Sequence, residues 1–330
     1  TTCATWPARC TAATCSGRTK SAIRMSSARH SYNLAILVIL YNCRPDAART
    51  LNSLDACAST IDGKNIHVTV WNNGPAHDPS IDEIVGKLRS EHGIAGAHVE
   101  SLGNAPLSKI YNHFLSDIEA DTYLLLDQDS VLSQEYLDFL SSQPLADFVV
   151  PHIMAGGKIR GPLFNRKTVE DDLFVAPAAG DFFCSIGSGL ALTRSGLDKF
   201  KRYFPQVFDE ALALYGVDTT FWLRVMSFAE REQVCVCCHS RLEHSLSRLE
   251  QEPPALVHFR RMERGLDVGI SLRRYASFKR LISFLHLLLK RPFFPSPRSD
   301  FPSLRWALRG LIKGRHPRCT PAPITMTRHD

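Results

Sequence analysis

Leu34-Ala-Ile-Leu-Val-Ile-Leu40 is an uninterrupted apolar run of strand length, ended by Tyr41-Asn42. A strand with one wet face alternates apolar and polar residues, so a run without alternation predicts a strand covered on both faces, as in a parallel sheet. Working outward, Pro45-Asp46 opens a helical stretch reaching about Ser59. Ile66 to Trp71 is the next strand, stopped by the turn cluster Asn72-Asn73-Gly74-Pro75. Ile81 to Glu91 reads as a helix, Ala97 to Leu102 as a short strand, and Leu107 to Leu115 as a helix. Thr122-Tyr-Leu-Leu-Leu126 is then a buried strand that runs directly into Asp127-Gln128-Asp129. This alternation predicts an α/β protein with a doubly wound, mostly parallel sheet and helices on both faces. Such sheets bind ligands beyond the carboxyl ends of their strands, so Tyr41-Asn42, Asn72-Asn73 and Asp127-Gln128-Asp129 are expected to line one cleft.

Past Phe148 the pattern weakens into short strands and loops punctuated by Gly156-Gly157, Gly161-Pro162 and Gly187-Ser188-Gly189. Helices are expected over Ser195 to Phe200, Asp209 to Leu214 and Asp218 to Phe228, the last with Phe221, Trp222, Val225 and Met226 on an apolar stripe. Beyond Pro253-Pro254 two amphipathic helices are expected, Ile270 to Lys290 and Ser303 to Arg315. The domain plan is therefore a leader (1–31), an α/β domain (32–254) with a regular first half (32–130) and a less regular second half (131–254), and a basic helical region (255–330). The leader is rich in Thr, Ala, Ser and Arg and free of acids. That composition suits either a transit-like peptide or a non-native leader, and we set it aside from the fold.

Of the 330 residues, 44% are apolar and 22% charged, which excludes a wholly disordered or collagen-like chain. The net charge of +6 conceals an asymmetry: residues 34–254 carry 18 basic and 29 acidic side chains, and residues 255–319 carry 15 and 3. An acidic body with basic ends does not suit a nucleic-acid groove. Apolar and aromatic residues set against Lys and Arg in the C-terminal helices suit an anionic membrane surface, and equally suit packing on the rest of the protein. No apolar run is long enough to span a bilayer. Scattered cysteines without a secretory apolar segment point to a reducing compartment, hence the cytoplasm, with a peripheral contact at the cytoplasmic face of a membrane as an option. Cys235, Cys237, Cys238 and His239 invite a zinc reading, but strand-like alternation sends neighbours to opposite faces, and we read them as core.

The strongest chemical signal is Asp127-Gln128-Asp129. Two carboxylates at the mouth of a buried strand are costly to hold together unless a cation neutralises them. Mg2+ or Mn2+, which favour carboxylate and phosphate oxygens, would bridge them to a diphosphate.

At this point the sequence resembles glycosyltransferase family 2, with the GT-A nucleotide-sugar fold, and its rhamnosyltransferase-like members in particular. The residues carrying the likeness run in order: Ile-Leu-Val-Ile-Leu-Tyr41-Asn42, Val-Trp71-Asn72-Asn73-Gly74, Gly103-Asn104, Tyr111-Asn112, Leu-Leu-Leu-Asp127-Gln128-Asp129-Ser130, Gly187-Ser188-Gly189-Leu190, Val217-Asp218-Thr219 with Leu223-Arg224, and Leu242-Glu243-His244-Ser245-Leu246. The resemblance implies an inverting transfer of a sugar, rhamnose from dTDP-rhamnose first, from a nucleotide-diphosphate donor to a hydroxyl of a glycan or lipid-linked acceptor. Tyr41, Asn42, Asn72, Asn104, Asn112, Asp127, Gln128, Gly187, Ser188 and Gly189 would bind the donor. Asp129, with Asp127 and His244, would hold Mg2+ or Mn2+, and Asp218 would act as general base. Asp218 also suits a helix N-cap, and His244 a half-buried turn. Arg224 would face the pyrophosphate or simply be solvated. Asn72 stands where the family usually has an aspartate and brings no charge. Two rival readings are a non-catalytic glycan- or nucleotide-sugar-binding relative and a sugar nucleotidyltransferase. The second lacks a Gly-rich, basic phosphate loop after the first strand.

Overall fold

The computed structural model describes residues 31–59, 62–245, 253–278, 280–282, 284–285 and 302–329. Residues 1–30 of the leader, Leu246 and the end of the helix expected up to Lys290 lie outside them. The first half follows the expected order: β1 (Tyr32–Leu40), α1 (Arg49–Ala58), β2 (Ile66–Asn72), α2 (Ser80–His92), β3 (Ala95–Glu100), α3 (Leu107–Asp117) and β4 (Ala120–Asp127). Then come β5 (Ser130–Val131), α4 (Gln134–Ser141), β6 (Phe148–Ala155), β7 (Lys158–Gly161), β8 (Leu163–Phe164), β9 (Lys167–Thr168), β10 (Leu173–Val175), β11 (Phe183–Cys184) and β12 (Ala191–Thr193). The chain continues through α5 (Arg194–Lys201), α6 (Val217–Phe228), β13 (Val236–His244), α7 (Pro254–Arg274), α8 (Leu304–Lys313) and β14 (Thr327–His329).

The main path of the large sheet runs β10-β13-β6-β12-β4-β1-β2-β3-β14. Strands β3, β2, β1 and β4 are mutually parallel, β12 enters antiparallel, and β6 and β13 are again parallel to each other. This is an α/β fold with a mostly parallel sheet and helices on both faces. The unbroken apolar run of β1 has the predicted cause. Ala35, Leu37 and Ile39 pack into one core with α3, α5, α6 and α7, while Leu34, Ile36, Val38 and Leu40 pack into a second with α1, α2 and α4. Register aligns Leu40 with Asn72, Ile39 with Asp127, and Asn72 with Glu100, so the polar residues ending these strands share one edge.

Three expectations change. Residues 209–214 form turns, not a helix, because Asp209 is drawn into a buried ionic knot. Its carboxylate accepts from Arg274 Nε (2.7 Å) and Tyr275 OH (2.6 Å) and lies 3.3 Å from Arg224. Arg224 is thus neither solvated nor turned to a ligand: it donates to Tyr275 OH and to the carbonyls of Gln206 and Val207. The helix expected over Ile270 to Lys290 is divided: one helix runs from Pro254 to Arg274, where Tyr275 leaves helical geometry, and residues 278, 280–282 and 284–285 are helical again. The C-terminal elements are tied to the sheet domain. Buried Glu263 accepts from His316 Nε2 and Arg318 (3.1 Å each), and Lys109 Nζ donates to the carbonyls of Thr320 and Ala322. Helices α7 and α8 touch backbone to backbone at glycines, since a Cβ on Gly269 would stand 1.9 Å from the Ala307 carbonyl. Among the described residues no helix is long and apolar enough to cross a membrane.

Strand β2 also sets an acid limit on stability. His67 is buried, its Nε2 lies 3.1 Å from Thr69 Oγ1, and its Nδ1 has no hydrogen-bond partner. Burial, aided by Arg328 and Arg89, pushes its pKa down from 6.5 to about 4. The folded state therefore refuses a proton that the unfolded chain accepts, so stability falls as pH drops below about 6.5 and the loss is complete near 4. That window corresponds to about 3 kcal/mol at 1.36 kcal/mol per unit. Urea unfolding of wild type and His67→Gln at pH 7 and pH 4.5 is expected to show a much smaller acid loss in the variant. An identical loss in both would refute the assignment.

Candidate active site

Asp127, at the end of β4, and Asp129 are presented by a tight connection to β5. Thr50 in the first turn of α1 fixes it: its hydroxyl bonds the carbonyls of Asp127 and Ser130 and accepts from the Ser130 N–H at 3.0 Å. Gln128 turns back, its Oε1 accepting from the Tyr41 N–H at 2.7 Å. From the opposite side, Ser188 Oγ accepts from the Asp127 N–H (3.0 Å) and lies 2.7 Å from Ser130 Oγ. Gly189 is left-handed (φ 85°), and a Cβ there would meet Pro151 at 2.7 Å. Only glycine lets this loop close on the sheet.

The short pairing of β5 with β13 delivers His244. Its Nδ1 lies 3.0 Å from Ser130 Oγ and 3.3 Å from Asp129 Oδ1, and Ser245 Oγ donates to Asp129 Oδ2. Ligand atoms of Asp127, Asp129 and His244 all lie within 4.8 Å of one another. Among the described residues no hydrogen bond reaches the Asp127 carboxylate. Burial, with the charges of Asp129 and Asp218 added, pushes its pKa up to about 6, and His244 opposes the rise. A two-carboxylate, one-imidazole set with surplus negative charge fits a divalent cation.

Asp218 reaches the same neighbourhood from α6. The helix is capped by Gly216 (φ 82°), so Asp218 sits in the first turn and is not the N-cap. Its Oδ1 accepts from the Thr219 N–H at 2.7 Å. Burial raises its pKa, against the Thr219 hydrogen bonds and the Arg264 charge. Tyr111 on α3 feels both Asp127 and Asp218, and its ionisation is suppressed mainly by burial. Cys184 is pushed up to about 12 by burial and by Asp218.

Several predicted donor residues are committed to architecture. Asn72 donates to the Ala76 carbonyl and to Glu100 Oε1 (2.9 Å each) and accepts from the Gly74 N–H, so both its amide hydrogens are in use. Asn112 ties α3 to residues 208–210, donating to the Phe208 carbonyl and Glu210 and accepting from the Phe208 N–H. Asn104 is left-handed (φ 51°); its side-chain oxygen lies 3.5 Å from Asn73 Nδ2, and its carbonyl accepts from Arg318. Tyr41 and Asn42 are exposed at the tip of β1, where the Asn42 N–H donates to the Gly74 carbonyl. A Cβ on Gly187 would stand 3.4 Å from Tyr111 OH. Trp71 is strand core, donating to Ser101 Oγ at 2.7 Å. Cys237 and Cys238 are buried, and the metal-competent groups among the described residues do not include them.

One participant was not foreseen. Asp267 of α7 lies against Gly216, where a Cβ would meet its Oδ1 at 2.0 Å. Burial and the Asp218 charge push it up to about 6. Its only sequence signal was that it is one of three acids in the basic stretch 255–319.

No family model and no curated protein matches the chain. Among solved structures it is similar to S. aureus TarS, at 16% identity and a TM-score of 0.49, over 87% of this chain and 50% of that one. It is also similar to S. aureus TarS 1–349 in complex with UDP-GlcNAc, at 16% identity and a TM-score of 0.47, over 87% and 82%. The complex of TarS 1–349 with UDP gives 16% and 0.46, over 86% and 80%. The chain thus spans half the length of the longer TarS structure.

Proposed function

We propose that this chain is an inverting glycosyltransferase that moves one sugar from a nucleotide diphosphate to an acceptor hydroxyl in cell-surface glycan synthesis, with rhamnose from dTDP-rhamnose as the first donor to try. The observation that carries the reading is the gathering of Asp127, Asp129 and His244 at the carboxyl edge of the sheet, with Asp218 close enough for its charge to act on Asp127. Asp127, Asp129 and His244 would hold Mg2+ or Mn2+, which when bound supplies positive charge to the departing diphosphate. Thr50, Ser130 and Ser188 fix the backbone of the Asp127–Asp129 turn, so the carboxylates are preorganised. Asp218 takes the acceptor proton. Thr219 occupies Oδ1, which leaves Oδ2 for the proton, and burial makes the carboxylate a stronger base than an exposed one. The sugar centre tolerates a modest base when the acceptor is aligned opposite the leaving group.

The test is a panel of nucleotide sugars with Mn2+, following release of nucleoside diphosphate with and without acceptor. Diphosphate release supports the proposal. Pyrophosphate release from a nucleoside triphosphate would make the chain a nucleotidyltransferase, and binding without turnover would make it an inert relative.

A lipid-linked acceptor would favour a peripheral membrane contact. Phe278 (76% exposed), Leu281, Ile282, Leu285 and Ile312 (69%) are exposed apolar side chains in the basic C-terminal region. Flotation with phosphatidylserine-containing vesicles is expected to recover wild type several-fold better than Phe278→Asp/Ile312→Asp. Equal recovery would eliminate the contact.

A further inference from the structure

A second cluster of metal-ligating side chains lies away from the carboxylate site, at the far edge of the sheet where β14 pairs antiparallel with β3. Glu100 ends β3 and is buried. His77 comes from the loop after β2, with its Nδ1 2.8 Å from Glu100 Oε2. His329 comes from β14, with its Nε2 3.4 Å from the same oxygen. His98, two residues before Glu100 and fully buried, directs Nε2 to 3.3 Å from Glu100 Oε1. The imidazoles are layered, with His98 and His329 centroids 4.7 Å apart and His77 and His329 centroids 5.6 Å apart.

Two features mark this as more than a set of ion pairs. First, His98 Nε2 and His329 Nε2 are buried and make no hydrogen bond: both lie within ion-pair distance of Glu100 but outside hydrogen-bond geometry. Buried ring nitrogens left this way call for a partner. Second, the surroundings already orient the donors. Asp82 Oδ1 holds His98 Nδ1 at 2.8 Å, which leaves Nε2 to face Glu100, and Asn72 donates to Glu100 Oε1 at 2.9 Å. A carboxylate behind a histidine is the usual support of a metal-bound imidazole. Donors on one tetrahedral ion with bonds of about 2.0–2.1 Å stand roughly 3.3 Å apart. The separations from Glu100 are close to that, and the donor atoms of His77, Glu100 and His329 all lie within 4.8 Å of one another.

We propose that His77, Glu100 and His329 bind a Zn2+ that fastens β14 to the sheet edge and the loop after β2 to β3. Two imidazoles and one carboxylate suit Zn2+, whereas Mg2+ and Ca2+ prefer oxygen throughout.

The experiment is calorimetric titration of chelator-stripped full-length protein with ZnCl2. It uses wild type, Asp129→Ala (to remove competition from the other site), and Asp129→Ala combined with His77→Ala or with His329→Ala. Asp129→Ala is expected to retain one Zn2+ per chain, and each histidine removal to weaken that binding by at least about 100-fold. His77 is half exposed, so its removal should leave the metal-free protein folded, as its melting transition checks, and keep the comparison valid if His329→Ala disturbs folding. X-ray absorption at the zinc edge is expected to show nitrogen and oxygen donors only. Absence of stoichiometric binding in Asp129→Ala, equal affinity in the His77→Ala combination, or sulfur in the zinc shell would each overturn the proposal. None of these readouts depends on transferase activity.

Discussion

Asp129→Ala is expected to lower kcat for Mn2+-dependent donor turnover by about 10³-fold, roughly 4 kcal/mol of transition-state stabilisation. The size follows from the site's electrostatics. Asp129 lies among Asp127, His244 and Ser245, and its removal deletes an anionic donor while relieving crowding that raises the Asp127 pKa. The loss should therefore come without loss of fold, and the melting temperature of the metal-free protein should hold or rise. Steady-state kinetics on the preferred donor, with Mn2+ varied, checks this. Turnover within about threefold of wild type at saturating Mn2+ would remove Asp129 from the chemistry.

Asp218→Asn is expected to cost about 10²–10⁴-fold in kcat while leaving the donor KM nearly constant, the signature of a lost general base. Asparagine keeps the shape and the acceptor oxygen facing the Thr219 N–H, so the first turn of α6 should survive. The pH dependence carries the sign. Burial holds the Asp218 carboxyl above its ordinary 3.8, so the base is protonated at the acid end and activity rises with pH through a limb lying above 3.8. Asp218→Asn should abolish that limb. A full-rate variant, or an acid limb that persists unchanged, would transfer the role elsewhere. Asp267, close to the same helix start and pushed up to about 6, is the next candidate.

The two carboxylates at the end of β4 were legible because two local signals coincide there: a strand too apolar to have a wet face and a turn too acidic to be stable alone. The place of Asp218 at the start of an apolar helical stripe was legible, but the N-cap role it also suited is not the one it has. The cap proved to be Gly216, whose left-handed backbone the stripe could not indicate. Asn72 and Asn112 illustrate the opposite failure. Their residue type and position suit ligand binding, yet each is held by three hydrogen bonds within the protein. An amide's partners are a property of what lies across space, not of its neighbours in sequence.

Hydrophobic periodicity by itself determined the parallel half of the sheet, its edge of polar strand ends and the Asp127–Asp129 turn, because strand and helix periods are local and the burial they demand leaves few topologies. Tertiary structure alone decided the rest: the antiparallel entry of β12, the delivery of His244 through β13, the anchoring of α7 through Asp209 and Glu263, and the meeting of His77, His98, Glu100 and His329. Those contacts join residues tens to hundreds of positions apart. Which pairs meet is set by how the two cores close around the sheet, and that information is in no single stretch of the chain.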